Sequence, residues 1–518
     1  MDVISSLGDG FAAALSPTSL LFALIGVSLG TIVGVLPGIG PITAIAILIP
    51  VSFGMEPVHG LIMLCGVYYG SMFGGSITAI LIKTPGEVAS AVTVLDGYEM
   101  AKQGQARAAL ATSAIGSFIA GTLAVVGLTF LSPIFVEIST LLGASEYFLL
   151  MTMALLLASS MSTGSSLKAL ISILIGLAVG MVGLDFQTGL PRQTLGFDFL
   201  RDGIDFTIFA MALFAVPEAI RQLSGKVGAG DMSTTSLQSG PWMTRDDWRR
   251  SVGPWARGSV LGFVIGVLPG IGPSLASFMS YVMEKKISKH PERFGKGAIE
   301  GVAGPEAANN AGVGGAMVPL FSLGIPGSAT TALLLFVFIM YGLQPGPLLF
   351  TQESPLIWTI IASMYIGNIV LIVLNLPLVG LFTRLLKVPT EILFGIMLVL
   401  VGVGTYAITF SLVGLLILGV FGVIGYLMDR AEIPLAPAIL ALVLVPMIED
   451  NFRRMLQISN GSFAPLVTQP LSLTFVLMII AGIVGPIILK QVIRHQQQQP
   501  EVDRSSAGQA FHDGHQSS

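Results

Sequence analysis

The sequence predicts an all-α polytopic membrane protein made of two inverted-topology repeats with re-entrant hairpins and broken helices. Three observations carry that expectation. The 518 residues are 53% hydrophobic and only 10% charged, whereas soluble domains run near 25% charged. Apolar stretches close to the ~20 residues needed to cross about 30 Å of hydrocarbon recur along the chain, among them Leu167 to Leu184, Ile357 to Leu376 and Leu471 to Leu489. The octapeptide Gly-Val-Leu-Pro-Gly-Ile-Gly-Pro occurs twice without change, at 34–41 and at 266–273.

About twelve membrane-embedded segments follow from the length criterion. Residues 1–17 form an N-terminal amphipathic segment; Asp2 and Asp9 lie there without any Lys or Arg, so the basic start of a cleaved signal peptide is missing and the segment is expected to stay in the mature protein. The first repeat, 18–223, opens on the first octapeptide, in a stretch from Thr18 to Phe53 flanked by Asp2, Asp9 and Glu56, and no basic residue precedes Lys83. Its flanks are therefore placed outside. Five spans follow, near Leu61 to Ile82, Ala108 to Leu131, Tyr147 to Leu157, Leu167 to Leu184 and Phe206 to Ile220.

A polar connecting segment, 224–255, is placed in the cytoplasm. The second repeat, 256–495, opens on Gly258 to Met283, an apolar stretch broken by Pro269-Gly270 and Gly272-Pro273. The arms on either side are roughly ten residues, about 15 Å each, and neither spans alone. Arg245, Arg249, Arg250 and Arg257 precede it, and Lys285, Lys286, Lys289, Arg293 and Lys296 follow it; a hairpin that re-emerges on its own side keeps both clusters cytoplasmic. An odd number of spans between the two copies gives the halves opposite orientation. Later spans lie near Ala311 to Met340, Ile357 to Val379, Ile392 to Tyr406, Leu412 to Leu427, Leu435 to Met447 and Leu471 to Leu489, with Arg384, Lys387, Arg430, Lys490 and Arg494 marking cytoplasmic turns. The tail, 496–518, is rich in Gln and Ser and is expected to be disordered.

A second correspondence follows each octapeptide. Gly74-Gly75 precedes Thr84-Pro85-Gly86, and Gly314-Gly315 precedes Ile325-Pro326-Gly327; upstream, Gly26 and Gly30 match Gly258 and Gly262. Helices broken at mid-membrane present amides at the start of one half and carbonyls at the end of the other, which hold anions and cations without charged side chains. The anion-facing starts are Ile42-Thr43, Ser274, Glu87 and Ser328 to Thr331. The substrate candidates are Thr43, Ser76, Thr84, Pro85, Gly86, Ser274, Asn309, Asn310, Pro326, Gly327, Ser328 and Thr330, and the candidate coupling-cation carbonyls are Pro37, Gly38, Ile39, Pro269, Gly270 and Ile271. Each of these residues also has a plainer role. Asn309-Asn310 serves interhelical hydrogen bonding equally well, Lys83 suits a span end that reaches for the interface, and Glu306, just after a basic loop, suits the cytoplasmic surface.

Other chemistries are disfavoured. Cys65 is the single cysteine, which excludes an internal disulfide or a multi-cysteine metal site, and a net charge of −4 gives no footprint for nucleic acid. Neither His-Glu-x-x-His nor Gly-x-x-x-x-Gly-Lys-Ser/Thr occurs. Gly8-Asp9 lies outside any span. The chain is expected to be neither an enzyme nor a cofactor protein; the competing readings are a passive anion channel, a membrane scaffold and a polytopic enzyme acting on lipid.

The repeated Val-Leu-Pro-Gly-Ile-Gly-Pro, the stretch Thr84-Pro85-Gly86-Glu87 running to Leu95-Asp96-Gly97-Tyr98, Pro305 to Asn310 and Leu323 to Thr331 together resemble the TctA family, the large membrane subunit of the tripartite tricarboxylate transporters. The likeness extends from Pro17 to Arg494. It implies a bacterial inner-membrane permease importing citrate, another tricarboxylate or a related organic acid, driven by an ion gradient, usually sodium, and not by ATP. It also implies two partners, a periplasmic solute-binding protein and a small four-span membrane subunit. The fold it implies is similar to elevator-type transporters, in which a mobile unit slides against a fixed scaffold.

Overall fold

A computed structural model describes residues 2–36, 38–160, 165–185, 187–224, 242–381, 389–482 and 484. Pro37, Arg384, Lys387, Lys490, Arg494, most of the connecting segment and the whole tail lie outside the described residues. Residues up to Arg454 form one compact unit, which holds everything analysed below; the second unit contributes the helices Pro465–Thr468 and Pro470–Gly482. The helices in chain order are α1 Val3–Ala14, α2 Pro17–Val35, α3 Gly40–Ser52, α4 Pro57–Ile82, a 3₁₀ turn Val88–Ala91, α5 Thr93–Lys102, α6 Ala106–Ser139, α7 Ala144–Ser160, α8 Ser166–Gly180 and α9 Phe206–Leu223. They continue with α10 Arg245–Val267, α11 Gly272–Ile287, α12 Glu300–Leu323, α13 Ala329–Met340, α14 Pro347–Gln352, α15 Ser354–Asn375, α16 Thr390–Thr409, α17 Leu412–Arg430 and α18 Ala436–Ile458. Among the described residues seven helices are long and apolar enough to cross a membrane. The chain is thus an all-α polytopic membrane protein.

Two helices sit at the centre. Residues 301–323 of α12 and 60–81 of α4 are buried without a break. Each is gripped by the glycine-striped helix that precedes the octapeptide tip. On α2, a methyl group added at Gly26, Gly30 or Gly34 would run into the backbone carbonyl of Met63, Val67 or Ser71 on α4. On α10, Gly258, Gly262 and Gly266 stand in the same relation to the carbonyls of Gly304, Ala308 and Gly312 on α12. Glycine every fourth residue keeps one helical face bare, so two backbones approach to a distance that any side chain would forbid. This is the reason for the matched upstream glycines of the sequence.

The second octapeptide closes a helical hairpin. Arg257 on α10 makes a two-pronged ion pair with Glu284 on α11, Nε to Oε1 at 2.8 Å and Nη2 to Oε2 at 2.6 Å. Residues so nearly equidistant from the turn meet only if the two helices run antiparallel. Ile265 and Ala276 then pack together against Ala308. The expected arms of about ten residues are too short as helices: α10 has 23 residues and α2 has 19, and α2 alone is long and apolar enough to span. Only the charge-free part of α10, from Gly258 to Val267, keeps the expected length of about 15 Å. The helix continues beyond it because Thr244 caps Asp247 in a capping box and acidic Asp246 and Asp247 suit the positive helix start.

Of the other expected spans, α4, α6, α9, α15, α16 and α17 are long and apolar enough to cross a membrane; α7, α8 and Pro470–Gly482 are shorter apolar helices, α18 is not among the spans, and residues 485–489 of the last one lie outside the described residues. Two expected stretches are also broken. The stretch from Leu167 to Leu184 is helical only to Gly180, and Gly183–Leu184 pairs instead as a short antiparallel strand with Pro191–Arg192. The stretch from Ala311 to Met340 is two helices, α12 beginning earlier at Glu300 and α13 starting at Ala329, with a break between.

An ionic knot fastens the strand pair to α18. Arg453 meets Asp185 at 2.7 Å, and Arg192 meets Glu449 at 2.7 Å and Asp185 at 3.3 Å. The Arg453 guanidinium, with backbone amides at Thr188 and Gln187, holds the Asp185 carboxyl well below the usual carboxylate range. A depressed folded value means that this contribution is complete above the unfolded value near pH 4 and is lost as pH falls through the lower folded value. Hydrogen exchange of residues 183–192, corrected for its intrinsic pH dependence, should stay flat from pH 8 to about 4 and rise below it. Asp185→Asn should exchange faster already at neutral pH; unchanged protection in that variant would sink the knot as the fastening.

Candidate functional site at two broken helices

The breaks after α4 and α12 share one backbone path. α4 ends in the left-handed conformation at Lys83, φ 59°, and α12 ends the same way at Gly324, φ 69°. Glycine reaches this conformation freely, and lysine pays for it in strain. The Pro-Gly steps that follow fold back onto their own helices, Gly86 against Gly75 and Gly327 against Ala316. The chain then leaves in extended conformation through Glu87, φ −148°, and Ser328, φ −157°.

The two breaks complete each other. Asn309 Nδ2 on α12 donates to Glu87 Oε1 at 3.4 Å, and the hydroxyls of Tyr68 on α4 and Ser328 lie 3.3 Å apart. Ser328 follows Glu87 by 241 positions, and Asn309 follows Tyr68 by the same 241. Each break therefore contacts the other central helix at corresponding positions.

A polar seam runs inward from this crossing. Glu306 is 0% exposed and accepts from the Thr93 hydroxyl of α5, and the Ser90 and Ser113 hydroxyls face it. Asn310 donates to Ser117 Oγ at 2.7 Å and to the Glu306 carbonyl at 3.0 Å. Glu306 Oε2, Asn309 Oδ1 and Asn310 Oδ1 are buried without a hydrogen-bond partner.

The octapeptide tips share their conformation as well. Gly38 and Gly40 have φ of 90° and 62°, and Gly270 and Gly272 have 82° and 73°. Long bonds of 3.5 Å from Ile39 to the Leu36 carbonyl and from Ile271 to the Leu268 carbonyl close both turns. α3 and α11 then begin with Pro41 and Pro273 in the first turn and with no side-chain cap, so their first amides remain available to an anion. Gly272 abuts Ser328, with room for a methyl group at 3.4 Å from its Cβ, and the Gly34 carbonyl packs on Gly86. Each tip thus adjoins a break. The structure does not set one tip against the other: Gly38 packs on Glu218 and Gln222 of α9, and Gly270 on Ala154 and Ala158 of α7.

Of the remaining candidates, Thr43 and Thr330 are buried and Ser274 is half-buried in the first turn of α11. The Ser76 hydroxyl is turned to the Phe73 carbonyl at 2.9 Å and that of Thr84 to the Ile82 carbonyl at 3.3 Å. Ser328 and Thr331 cap each other in a capping box at the start of α13. Gly86, Ile39, Pro269, Pro326 and Gly327 are buried, and Pro85 and Ile271 partly so.

Two expectations are corrected. Glu306 is not at a surface but in the core of α12. Glu87 begins only a four-residue 3₁₀ turn, too short to build a helix dipole, and it brings its own carboxylate. Lys83 is exposed at the end of α4, as expected of a lysine that reaches for the interface, with its Nζ 5.8 Å from the centre of the Tyr98 ring. Tyr68, Ser90, Thr93, Ser113 and Ser117 were missed, since small hydroxyls and a tyrosine inside an apolar run read as span residues. The signal that was there is the spacing of Glu306, Asn309 and Asn310, which places three polar groups along one side of a helix with no polar face of its own.

A family model described as the tripartite tricarboxylate transporter TctA family matches residues 20–440. A protein of Agrobacterium vitis, "Uncharacterized 52.8 kDa protein in TAR-I ttuC' 3'region", is 45% identical over 486 residues, covering 93% of this chain and 96% of its own length. A second from that organism, "Uncharacterized protein in TAR-II ttuC' 3'region", is 44% identical over 211 residues, covering 41% of this chain and 87% of its own. No solved structure matches the chain.

Proposed function

We propose that this chain, which belongs to the tripartite tricarboxylate transporter TctA family, is the permease through which an organic acid crosses a bacterial inner membrane against its gradient. Family membership makes it a transporter subunit, not an enzyme, working in a tripartite system with a small membrane subunit and a periplasmic binding protein. The finer reading is uptake of tricarboxylates or related acids, coupled to an ion gradient, with sodium as the cation. The small partner is taken to span four times and the mobile unit to move as an elevator.

One observation carries this reading: two broken helices cross through corresponding residues, Glu87 to Asn309 and Ser328 to Tyr68, with the uncapped start of α11 beside one of them. Such a crossing at the join of two inverted repeats is where a secondary transporter holds substrate and ion. A substrate carboxylate is placed at the amides of Ser274 and Thr43 and at Ser328 and Thr330. A coupling cation is placed at the tip carbonyls of Gly38, Ile39, Pro269, Gly270 and Ile271. Each helix start contributes only about 0.3–2 kcal/mol toward a unit charge, so several groups must act together to replace the water of a carboxylate.

The test is uptake into proteoliposomes holding both membrane subunits, with the binding protein and its acid outside. Uptake should follow an inward sodium or proton gradient and ignore ATP. Equal flux with every gradient collapsed makes the chain a channel instead.

Orientation is tested separately. In a chain with Cys65 replaced, Glu56→Cys should react with an impermeant thiol reagent added to intact cells, and Lys285→Cys should react only after the membrane is opened. Labelling of both from one side would rule out inverted repeats.

A further inference from the structure

We infer that Glu306, Asn309 and Glu87 form a side-chain binding site for a monovalent cation, separate from the carbonyls of the octapeptide tips. The site holds a surplus of acceptors. Glu306 Oε2, Asn309 Oδ1 and Asn310 Oδ1 are all buried and make no hydrogen bond, and the unpaired Ser90 and Ser113 hydroxyls that face Glu306 bring two further oxygens. The orientation of the two amides is set by the rest of the network: Asn310 Nδ2 is fixed by the Glu306 carbonyl, which only accepts, and Asn309 Nδ2 by the Glu87 carboxylate. Turning either amide to satisfy its oxygen would set oxygen against oxygen. An anion would meet the two carboxylates first; a carboxylate, two amide oxygens and two hydroxyl oxygens are the ligands of a hard cation or the acceptors of a proton.

The charges around the cluster point the same way. A carboxylate enclosed without a counter-charge is strongly disfavoured inside a membrane protein. Thr93 of α5, Ser90 of the 3₁₀ turn and Ser113 of α6 face Glu306, and all three are uncharged. Glu87 acts on Glu306 through space and adds negative charge. Towards the start of α12, Asp96 is already saturated by backbone amides and Tyr281, Arg257 is held by Glu284 and Arg250 by Glu300. Tyr69 of α4 lies further along, beside Gly314. None of these supplies a positive charge to the Glu306 carboxyl.

The entrance is placed on the Glu87 side of the site. Glu87 is only partly buried while Glu306 and Asn309 are fully enclosed, so an ion loses its water stepwise from one carboxylate to the other. Beyond Asn309 and Glu87 lie Tyr68, Ser328 and the uncapped start of α11. A cation at Glu306 therefore sits near the place proposed for the substrate anion, and filling one site favours filling the other. That the ion is a coupling ion rests on the transport reading; that it binds does not.

The experiment is thermal unfolding of the purified full-length chain in nanodiscs, titrated with sodium chloride against choline chloride at constant ionic strength, at pH 8 and at pH 5.5. Wild type should gain stability saturably with sodium at pH 8, which identifies a metal cation, or with acid in choline alone, which identifies a proton. Glu306→Gln, which keeps the shape and removes the charge, should lose the dependence and unfold in choline at pH 8 no earlier than wild type. Asn309→Ala should raise the half-saturating concentration by about tenfold or more, as removal of one oxygen ligand to a charge does. Wild-type stability indifferent to both sodium and acid overturns the site, as does Glu306→Gln with an unchanged midpoint. Gradient-driven uptake with unaltered cation dependence in Glu306→Gln would overturn it while leaving the transport reading intact. A cation shift in a chain that transports nothing would do the reverse.

Discussion

Asp96→Ala is expected to remove the protein from the membrane almost entirely. The Asp96 carboxylate is 0% exposed, and its Oδ1 accepts from the amides of Gly295 at 2.9 Å, Lys296 at 3.1 Å, Gly297 at 2.8 Å and Ala298 at 2.8 Å, while Oδ2 accepts from the Tyr281 hydroxyl at 2.9 Å. Gly295 and Gly297 have φ of 81° and 100°, the alternation that turns successive amides toward one point and makes a concave anion seat. Alanine leaves the Ala298 amide and the Tyr281 hydroxyl buried without an acceptor and the Gly297 amide half-buried without one, while the exposed Gly295 amide turns to water and the Lys296 amide keeps the Arg293 carbonyl. At about 1–3 kcal/mol for each of these three groups, the loss is about 3–9 kcal/mol, comparable to the whole stability of an ordinary domain. Asp96→Asn keeps an acceptor for the amides and should be far milder. The measurement is abundance and thermal stability after mild extraction. Alanine and asparagine variants of equal stability would show that the carboxylate is not what holds α5 to the segment before α12.

The glycine stripes give the second large effect. In Gly262→Val the new side chain meets the Ala308 carbonyl and Cα of α12, backbone that cannot step aside, so the hairpin must separate from its neighbour. Overpacking costs about 1–3 kcal/mol where side chains can adjust, and more where they cannot. The same reasoning predicts the opposite sign elsewhere. A methyl group at Gly402 in α16 or Gly419 in α17 meets nothing within 4 Å, so Gly402→Ala and Gly419→Ala should stabilise by about 0.5–1 kcal/mol through helix propensity alone. Thermal scans of the three variants decide it; a tolerated valine at 262 would mean that α10 and α12 are not in backbone contact.

The two tips and their upstream glycines were legible because the sequence writes them twice. A repeated octapeptide with alternating glycines demands the same left-handed turns in both places, and Gly38, Gly40, Gly270 and Gly272 adopt them. Most spans were legible for a similar reason, since length and apolarity are local properties. What failed depends on neighbours. Glu306 looks like a surface residue because a basic loop precedes it, and only the packing of α4, α6, α10 and α11 around α12 shows it enclosed. Leu184 belongs to an apolar run, yet pairs as a strand because Arg192, Arg453, Asp185 and Glu449 gather across more than 250 positions. The seam hydroxyls carry no mark in the sequence that separates them from packing residues.

The reciprocal crossing of the two breaks bears on how the protein is made. Glu87 and Asn309 are 222 positions apart, and Tyr68 and Ser328 are 260 apart. At 5–20 residues per second of synthesis, the ribosome needs about 10–50 s to deliver the second partner after the first has emerged. During that interval the earlier half lies in the bilayer with Glu87 and Tyr68 lacking those partners. The newborn half must therefore be sheltered, by the insertion machinery or by a neighbouring subunit, until α12 arrives to close it.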